Sequence, residues 1–320
     1  MFRLDLVDKL LLLRLSEQCR LSYQALAQHV GLTVSGVKNR VNKLVESGII
    51  NRFLVNLNVP RYGYVNLFYA VSTDGGEDKE RFIQGLAATR SIFNIGRLVD
   101  GSYAGGALVS TAEEVLKLDR ELRRMENVTQ VELRQIAFVN PSHPKTTILT
   151  DKRAIQSRAL TFSKFQKQVL RCLIDDVRMP ITKIAQQAKL TPRRVRRILN
   201  ELETGGNVEF TISLCPGAGE DFDCGIRTQF DPSKGKAVGL VDWFQEKYPL
   251  EHWWSFIFED EPVCIHKIVV SDLRIVEGIS DEARTLPLVD SVHTFIYHTT
   301  RNFPTLSEVR LKQMLEIPDK

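Results

Sequence analysis

Arg193, Arg194, Arg196 and Arg197 place four guanidinium groups within five consecutive positions. A guanidinium presents its N–H donors as a rigid fork that fits phosphate oxygens or the O6 and N7 edge of guanine, so the cluster suits a polyanion. Wound on a helix, the four side chains fan around more than half a turn, with Asn200 one turn further on. Some then meet base edges while the others pair with phosphates. A sparser set stands 158 residues upstream: Ser35, Lys38, Asn39, Arg40 and Lys43. Ser35 and its neighbour Gly36 are small enough to let backbone approach a groove. Lys38 and Arg40 suit phosphates, and Asn39 has the donor and acceptor for a bidentate contact to adenine.

An ordinary solvated helix face also carries basic runs, so the placement of charge matters more than its total. The net charge of +4 resolves into +4 over residues 1–58, −1 over 59–139, +3 over 140–160, +6 over 161–204 and −8 over 205–320. Positive charge is confined to two segments and the stretch leading into the second, where any polyanion, double-stranded DNA included, should bind. With 320 residues, 43% hydrophobic and 26% charged, the composition excludes a disordered or rod-like chain. The apolar runs, Leu10 to Leu13 among them, fall far short of the roughly 20 residues that span a bilayer. The start lacks a basic, apolar and small-residue leader pattern. A cytoplasmic protein without membrane contact is expected.

Other chemistry is sparse. The phosphate-loop, dinucleotide, zinc-protease and nucleophile-elbow motifs are all absent. Five cysteines at irregular spacing, an odd number, argue against a disulfide framework. Cys215, Cys224, Cys264, His266, His293 and His298 gather in the second half of the chain. Cys264 and His266, two apart on a predicted strand, share one face and are able to serve a metal, haem or redox sensor. Isolated cysteines and histidines on strands are more often core residues, and no resident cofactor is expected.

The elements that position these residues repeat. At an offset of 158, Leu26-Ala27 matches Ile184-Ala185, Leu32-Thr33 matches Leu190-Thr191, and Val37, Leu44 and Gly48 match Val195, Leu202 and Gly206. In copy one Ser22 caps a short helix closed by Gly31, and Thr33 caps a helix with the apolar stripe Val34, Val37, Val41, Leu44 and Val45. Ile49 to Leu57 alternates as a wing strand, giving a winged helix-turn-helix. In copy two Ser163 caps the first helix, and Thr191 with Pro192 marks the start of the third. After each segment the period runs β-α-β-β-α-β, the ferredoxin-like order. The fold class is therefore α+β: two tandem copies of a winged helix-turn-helix followed by a ferredoxin-like domain. The expected boundaries are 1–58, 59–140, a basic linker at 141–160, 161–214, 215–300 and a C-terminal extension at 301–320 packing at Phe303 and Leu306.

Leu21 to Leu57, with Ala27, Val30-Gly31-Leu32, Val37, Arg40-Val41, Leu44, Ser47-Gly48-Ile49-Ile50 and Leu57-Asn58, resembles the Lrp/AsnC family of prokaryotic transcription regulators. The second copy departs in its wing, where Cys215 to Gly225 is longer and richer in glycine and acid. The resemblance implies a sequence-specific DNA-binding regulator with a small-molecule effector bound where sensing domains meet. In copy one Gly101, Ser102 and Tyr103 stand at that position, where Asp100-Gly101 is equally the sequence of a hairpin turn. In copy two Glu259-Asp260-Glu261-Pro262 stands there, which implies a lost or altered site. The resemblance further implies pairing through the sheets, as a homodimer or as a pseudo-dimer within one chain. Two unlike recognition helices then suit an asymmetric operator. Siroheme decarboxylases are similar in architecture and supply an enzyme alternative, with His252 and His266 of copy two as its candidate residues; a haem-, metal- or redox-sensing regulator is the other.

Overall fold

The computed structural model describes residues 3–57, 64–141 and 161–317. The linker expected at 141–160 lies, beyond Pro141, outside the described residues. Copy one runs α1 (Leu6–Glu17), α2 (Tyr23–Val30), α3 (Val34–Glu46), β1 (Ile50–Leu57), β2 (Val65–Thr73), α4 (Lys79–Ala88), β3 (Asn94–Leu98), β4 (Tyr103–Val109), α5 (Ala112–Arg123) and β5 (Val128–Pro141). Copy two runs α6 (Lys164–Asp175), α7 (Ile181–Gln187), α8 (Pro192–Thr204), β6 (Val208–Leu214), β7 (Phe222–Phe230), α9 (Ala237–Lys247), β8 (His252–Phe258), β9 (Val263–Val270), α10 (Leu273–Arg284) and β10 (Val289–Asn302), followed by α11 (Leu306–Met314). The copies do not form one compact unit each. One unit gathers β2–β5 and β7–β10 with their helices, and the other gathers α1–α3, β1, α6–α8, β6 and α11.

In the sheet unit each copy builds an antiparallel sheet, β3-β4-β2-β5 and β8-β9-β7-β10. The last strand of each copy then pairs with the second strand of the other. β5 runs along β8 from Ile136↔Phe258 to Pro141↔Trp254, and β10 along β3 from Tyr297↔Leu98 to Asn302↔Asn94. Eight strands close into a barrel, which leaves neither copy an open edge. This pairing carries β10 through Asn302, so the extension expected from 301 starts after the strand. Alternation along β7 sends Cys224, Ile226 and Phe230 toward Leu240, Phe244, Val276 and Ile279 of α9 and α10. The opposite faces of the sheets pack Phe68, Leu98, Ala104, Phe258, Val263 and Ile265 from both copies against each other. A Cβ at Gly96 would overlap the Tyr297 ring, and one at Gly225 the Phe295 ring, so these aromatic side chains of β10 lie against bare backbone.

The barrel also holds charge. Lys267 pairs with the fully buried Asp223, its Nζ 3.6 Å from the centroid of Tyr297, and Thr300 Oγ1 donates to Asp223 at 3.4 Å. Burial lifts the Asp223 carboxyl above its usual range while Lys267 opposes the shift. Elsewhere Arg134 of copy one meets Asp260 at 3.0 Å and Glu261 at 2.6 Å, and Arg227 meets Glu132 at 3.0 Å. The acidic turn of copy two is thus neutralised by an arginine of copy one.

In the helix unit the two winged segments join as pseudo-twofold mates. β1 pairs with β6 antiparallel, through Phe53↔Ile212, Leu54↔Thr211 and Val55↔Phe210. The 158-residue offset maps Phe53↔Ile212 onto Thr211↔Leu54, so the ladder is related to itself in the manner of an isologous interface. The predicted wing strand therefore forms, but its partner is the other copy; alternation fixes which side chains share a face and carries no record of which strand lies alongside. Arginines at equivalent positions complete the joint. Arg20 donates through both terminal nitrogens to the carbonyls of Val177 and Met179, and Arg178 to those of Cys19 (2.8 Å) and Leu21 (3.0 Å). Arg178→Ala leaves two carbonyls without their charged donor and is expected to cost about 2–3 kcal/mol. A drop in the melting temperature of the helix unit, followed by circular dichroism, measures it.

Helix α11 docks on β1, with Ser307, Leu311 and Leu315 fully buried and Glu308 paired to Arg52 at 2.8 Å. The packing expected at Leu306 is thus carried by residues one to nine positions further on.

Candidate nucleic-acid interface

The candidate readers are α3 and α8, each of 13 residues. Thr33 Oγ1 accepts from the Gly36 N–H at 3.1 Å, and Thr191 Oγ1 from the Arg194 N–H at 3.3 Å. These caps satisfy donors that the first turn would otherwise leave open, and they fix where each helix begins. In α2, Gly31 adopts φ 69° and returns its N–H to Ala27, turning the chain into α3. Lys189 holds the equivalent turn before α8 at φ 52°, a conformation less favourable for a side chain with a Cβ. Val37, Val41 and Leu44 fix the buried face of α3, and Val195, Ile198, Leu199 and Leu202 that of α8.

What remains outward largely matches the sequence expectation. Ser35, Lys38, Asn39 and Lys43 are exposed on α3, as are Arg193, Arg196, Arg197 and Asn200 on α8. Two arginines differ. Arg40 donates through Nη1 to Oδ1 of Asp8, a carboxylate only 1% exposed, at 2.8 Å. It ties α3 to α1 and leaves the reading face, because a buried carboxylate without a cation is too costly to keep. Arg194 lies over the Phe165 ring at 3.6 Å from Cζ to the centroid. Arg197 meets Glu201 one turn along at 3.3 Å, an exposed pair of little strength. Arg193 and Arg196 make no ion pair among the described residues.

The winged helix-turn-helix DNA-binding family matches the chain twice, at residues 4–51 and 162–208. The chain therefore carries this DNA-binding segment twice, in tandem. An uncharacterized HTH-type transcriptional regulator of Pyrococcus horikoshii, PH0140, is 33% identical to this chain over 78 residues, covering 24% of the chain and 49% of the relative. Another, PYRAB04820 of Pyrococcus abyssi, is 38% identical over 61 residues, covering 19% and 42%. The chain spans about half the length of the curated relatives it matches. Over nearly its full length it shares a fold with the siroheme decarboxylase NirDL: TM-score 0.56, 12% identity, 97% of this chain and 98% of that one. At that identity the likeness is one of fold alone.

Of the expected effector residues, Gly101 at φ 92° and Ser102 form a tight turn, in which Ser102 donates through both N and Oγ to Asp100 Oδ1. Tyr103 turns inward, fully buried, lies against Phe82 with the rings tilted by 40° and donates its hydroxyl to Glu77 at 3.0 Å. The hairpin reading of Asp100-Gly101 accounts for this geometry.

His252 and His266 are both fully buried. Thr228 Oγ1 donates to the Cys264 carbonyl, so it accepts from His266 Nε2 at 3.1 Å; Nδ1 then accepts from Ser255 Oγ at 2.7 Å, and Ser255 accepts from His252 Nε2 at 2.7 Å. Phe244 stacks on His266 at 3.8 Å between centroids. Cys264 and His266 do share a face, yet among the described residues no group of three or more His, Cys, Asp or Glu is arranged to hold a metal ion. Burial pushes the Cys224 and Cys264 thiols up to about 12, which leaves them unreactive at neutral pH.

Burial, reinforced by the nearby His252, also holds His266 well below the usual histidine value of 6.5. The folded state therefore keeps His266 neutral while the unfolded chain protonates it. Stability is complete above pH 6.5 and falls as pH drops below it, by about 1.4 kcal/mol per unit, until the folded-state value is reached. Urea midpoints followed by tryptophan fluorescence between pH 7.5 and 5.5 measure the slope, which His266→Gln should flatten. All three tryptophans, Trp243, Trp253 and Trp254, lie in this domain.

Proposed function

We propose that the chain is a sequence-specific DNA-binding transcription regulator that reads an asymmetric operator with one polypeptide. The observation that carries this reading is the self-related joint of β1 with β6 and of Arg20 with Arg178, which unites two reading helices of different chemistry in one unit. A twofold protein dimer presents identical helices and matches a palindrome. Here the mates present Ser35, Lys38, Asn39 and Lys43 on one helix and Arg193, Arg196, Arg197 and Asn200 on the other. Support also comes from the two DNA-binding family matches and the positive charge of both segments. An effector is proposed to engage the Asp100–Ser102 turn, in which Asp100 is exposed and Gly101 and Ser102 are half-buried, since Tyr103 is committed to Glu77.

The decarboxylase alternative rests on shared fold. Its candidate residues, His252 and His266, are enclosed in a hydrogen-bonded chain under α9 and offer no edge to a substrate. The test is retention of fragmented genomic DNA by purified protein at several salt concentrations, with the protein's visible spectrum recorded first. Discrete enriched sites whose retention falls steeply with salt are expected. Uniform retention, or none, together with a tetrapyrrole absorption band would replace the regulator with the enzyme.

A further inference from the structure

This inference rests on the DNA-reading proposal and names what sets its specificity. We propose that Phe165 positions Arg194 as a guanine-reading fork, and that this fork makes the half-site under α8 differ from the half-site under α3. Three observations converge on Arg194. Its Cζ stands 3.6 Å from the Phe165 centroid, a separation that a planar guanidinium reaches by lying over the ring face. Its Nε is buried without a hydrogen-bond partner. Its backbone N–H is held by the Thr191 cap, which places it in the first turn of α8, the part of a recognition helix that meets base edges.

A guanidinium with one face on a ring and its Nε enclosed has a fixed plane. Its terminal nitrogens take no hydrogen bond among the described residues, and such a fork matches the O6 and N7 acceptors of guanine. Arg193, Arg196 and Arg197 are exposed, with no ring against them among the described residues, which suits phosphates that need charge and no fixed plane. A buried, unpartnered Nε is a cost that packing alone does not require, and a preorganised fork loses less freedom on binding. In copy one the positions equivalent to Phe165 and Arg194 are Val7 and Gly36, with neither ring nor guanidinium. The same place on α3 therefore has nothing to select guanine.

The test is enrichment of sites from randomised duplex DNA by the full chain and by Arg194→Ala, Arg194→Lys, Phe165→Leu and Phe165→Tyr, with melting curves confirming that each variant folds. The wild type should select a site with a strongly preferred guanine in one half only. Arg194→Ala, Arg194→Lys and Phe165→Leu should lower that single preference about 5- to 150-fold, while Phe165→Tyr, which keeps the ring, retains it. A purely structural role for Phe165 would lower binding to all sequences alike and leave the base profile unchanged, which overturns the proposal. An unchanged guanine preference in Arg194→Ala also overturns it while leaving the DNA-reading proposal standing. A wild type that selects no site removes both.

Discussion

Replacing Arg193 and Arg196 together by alanine should lower affinity for a selected DNA site about 100- to 1,000-fold and flatten the dependence of log K on log salt by about 2. Both side chains are exposed on α8, and neither makes an ion pair among the described residues, so their charge is available to phosphates. Arg197 is one turn from Glu201 and partly neutralised by it, so Arg197→Ala should cost less than either. Arg40→Ala should behave differently again. It removes the guanidinium paired with the buried Asp8 and should show first as lost stability, with reduced binding following from unfolding. Titrations at three salt concentrations separate these cases, because a lost phosphate contact changes the salt slope and a lost structural contact does not.

Lys267→Met should destabilise the sheet unit by about 3–5 kcal/mol. The substitution keeps an unbranched apolar stem in contact with Tyr297 but leaves the Asp223 carboxylate buried without its cation. Asp223→Asn combined with Lys267→Met removes the stranded charge and should recover much of the loss, since an unpaired amide is less costly to bury than a carboxylate. Urea unfolding followed by tryptophan emission reads this directly, Trp254 lying 5.9 Å from Lys267 Nζ. Equal midpoints for the single variant and the wild type would show that water reaches Asp223.

Local structure was legible because local rules govern it. The stripes of α3 and α8, the Thr33 and Thr191 caps and the Gly31 turn are fixed by residues within a few positions of each other, and strand β9 begins and ends where alternation and turn residues place it. Pairing of the sheets across the copies entered only through the family resemblance, as one of two alternatives, and not from the strand patterns themselves. Nothing in the period of β10 distinguishes β7, its neighbour in the same copy, from β3 in the other. At the candidate site the exposed residues of both helices followed from the apolar stripe alone. Arg40 and Arg194 did not, since their partners Asp8 and Phe165 lie on other helices. One long-range signal was present in the sequence: Arg20 and Arg178 occupy equivalent positions, and a shared arginine on a short turn between helices points to a role common to both copies.

The most direct measurement takes the DNA site selected by the full chain and builds two symmetrised duplexes, each carrying one half-site and its inverted copy. Two unlike readers joined about a pseudo-twofold axis predict that both symmetrised duplexes bind more weakly than the natural site, each by at least tenfold. Equal or tighter binding to either palindrome would contradict the account and assign reading to one helix presented twice by two chains.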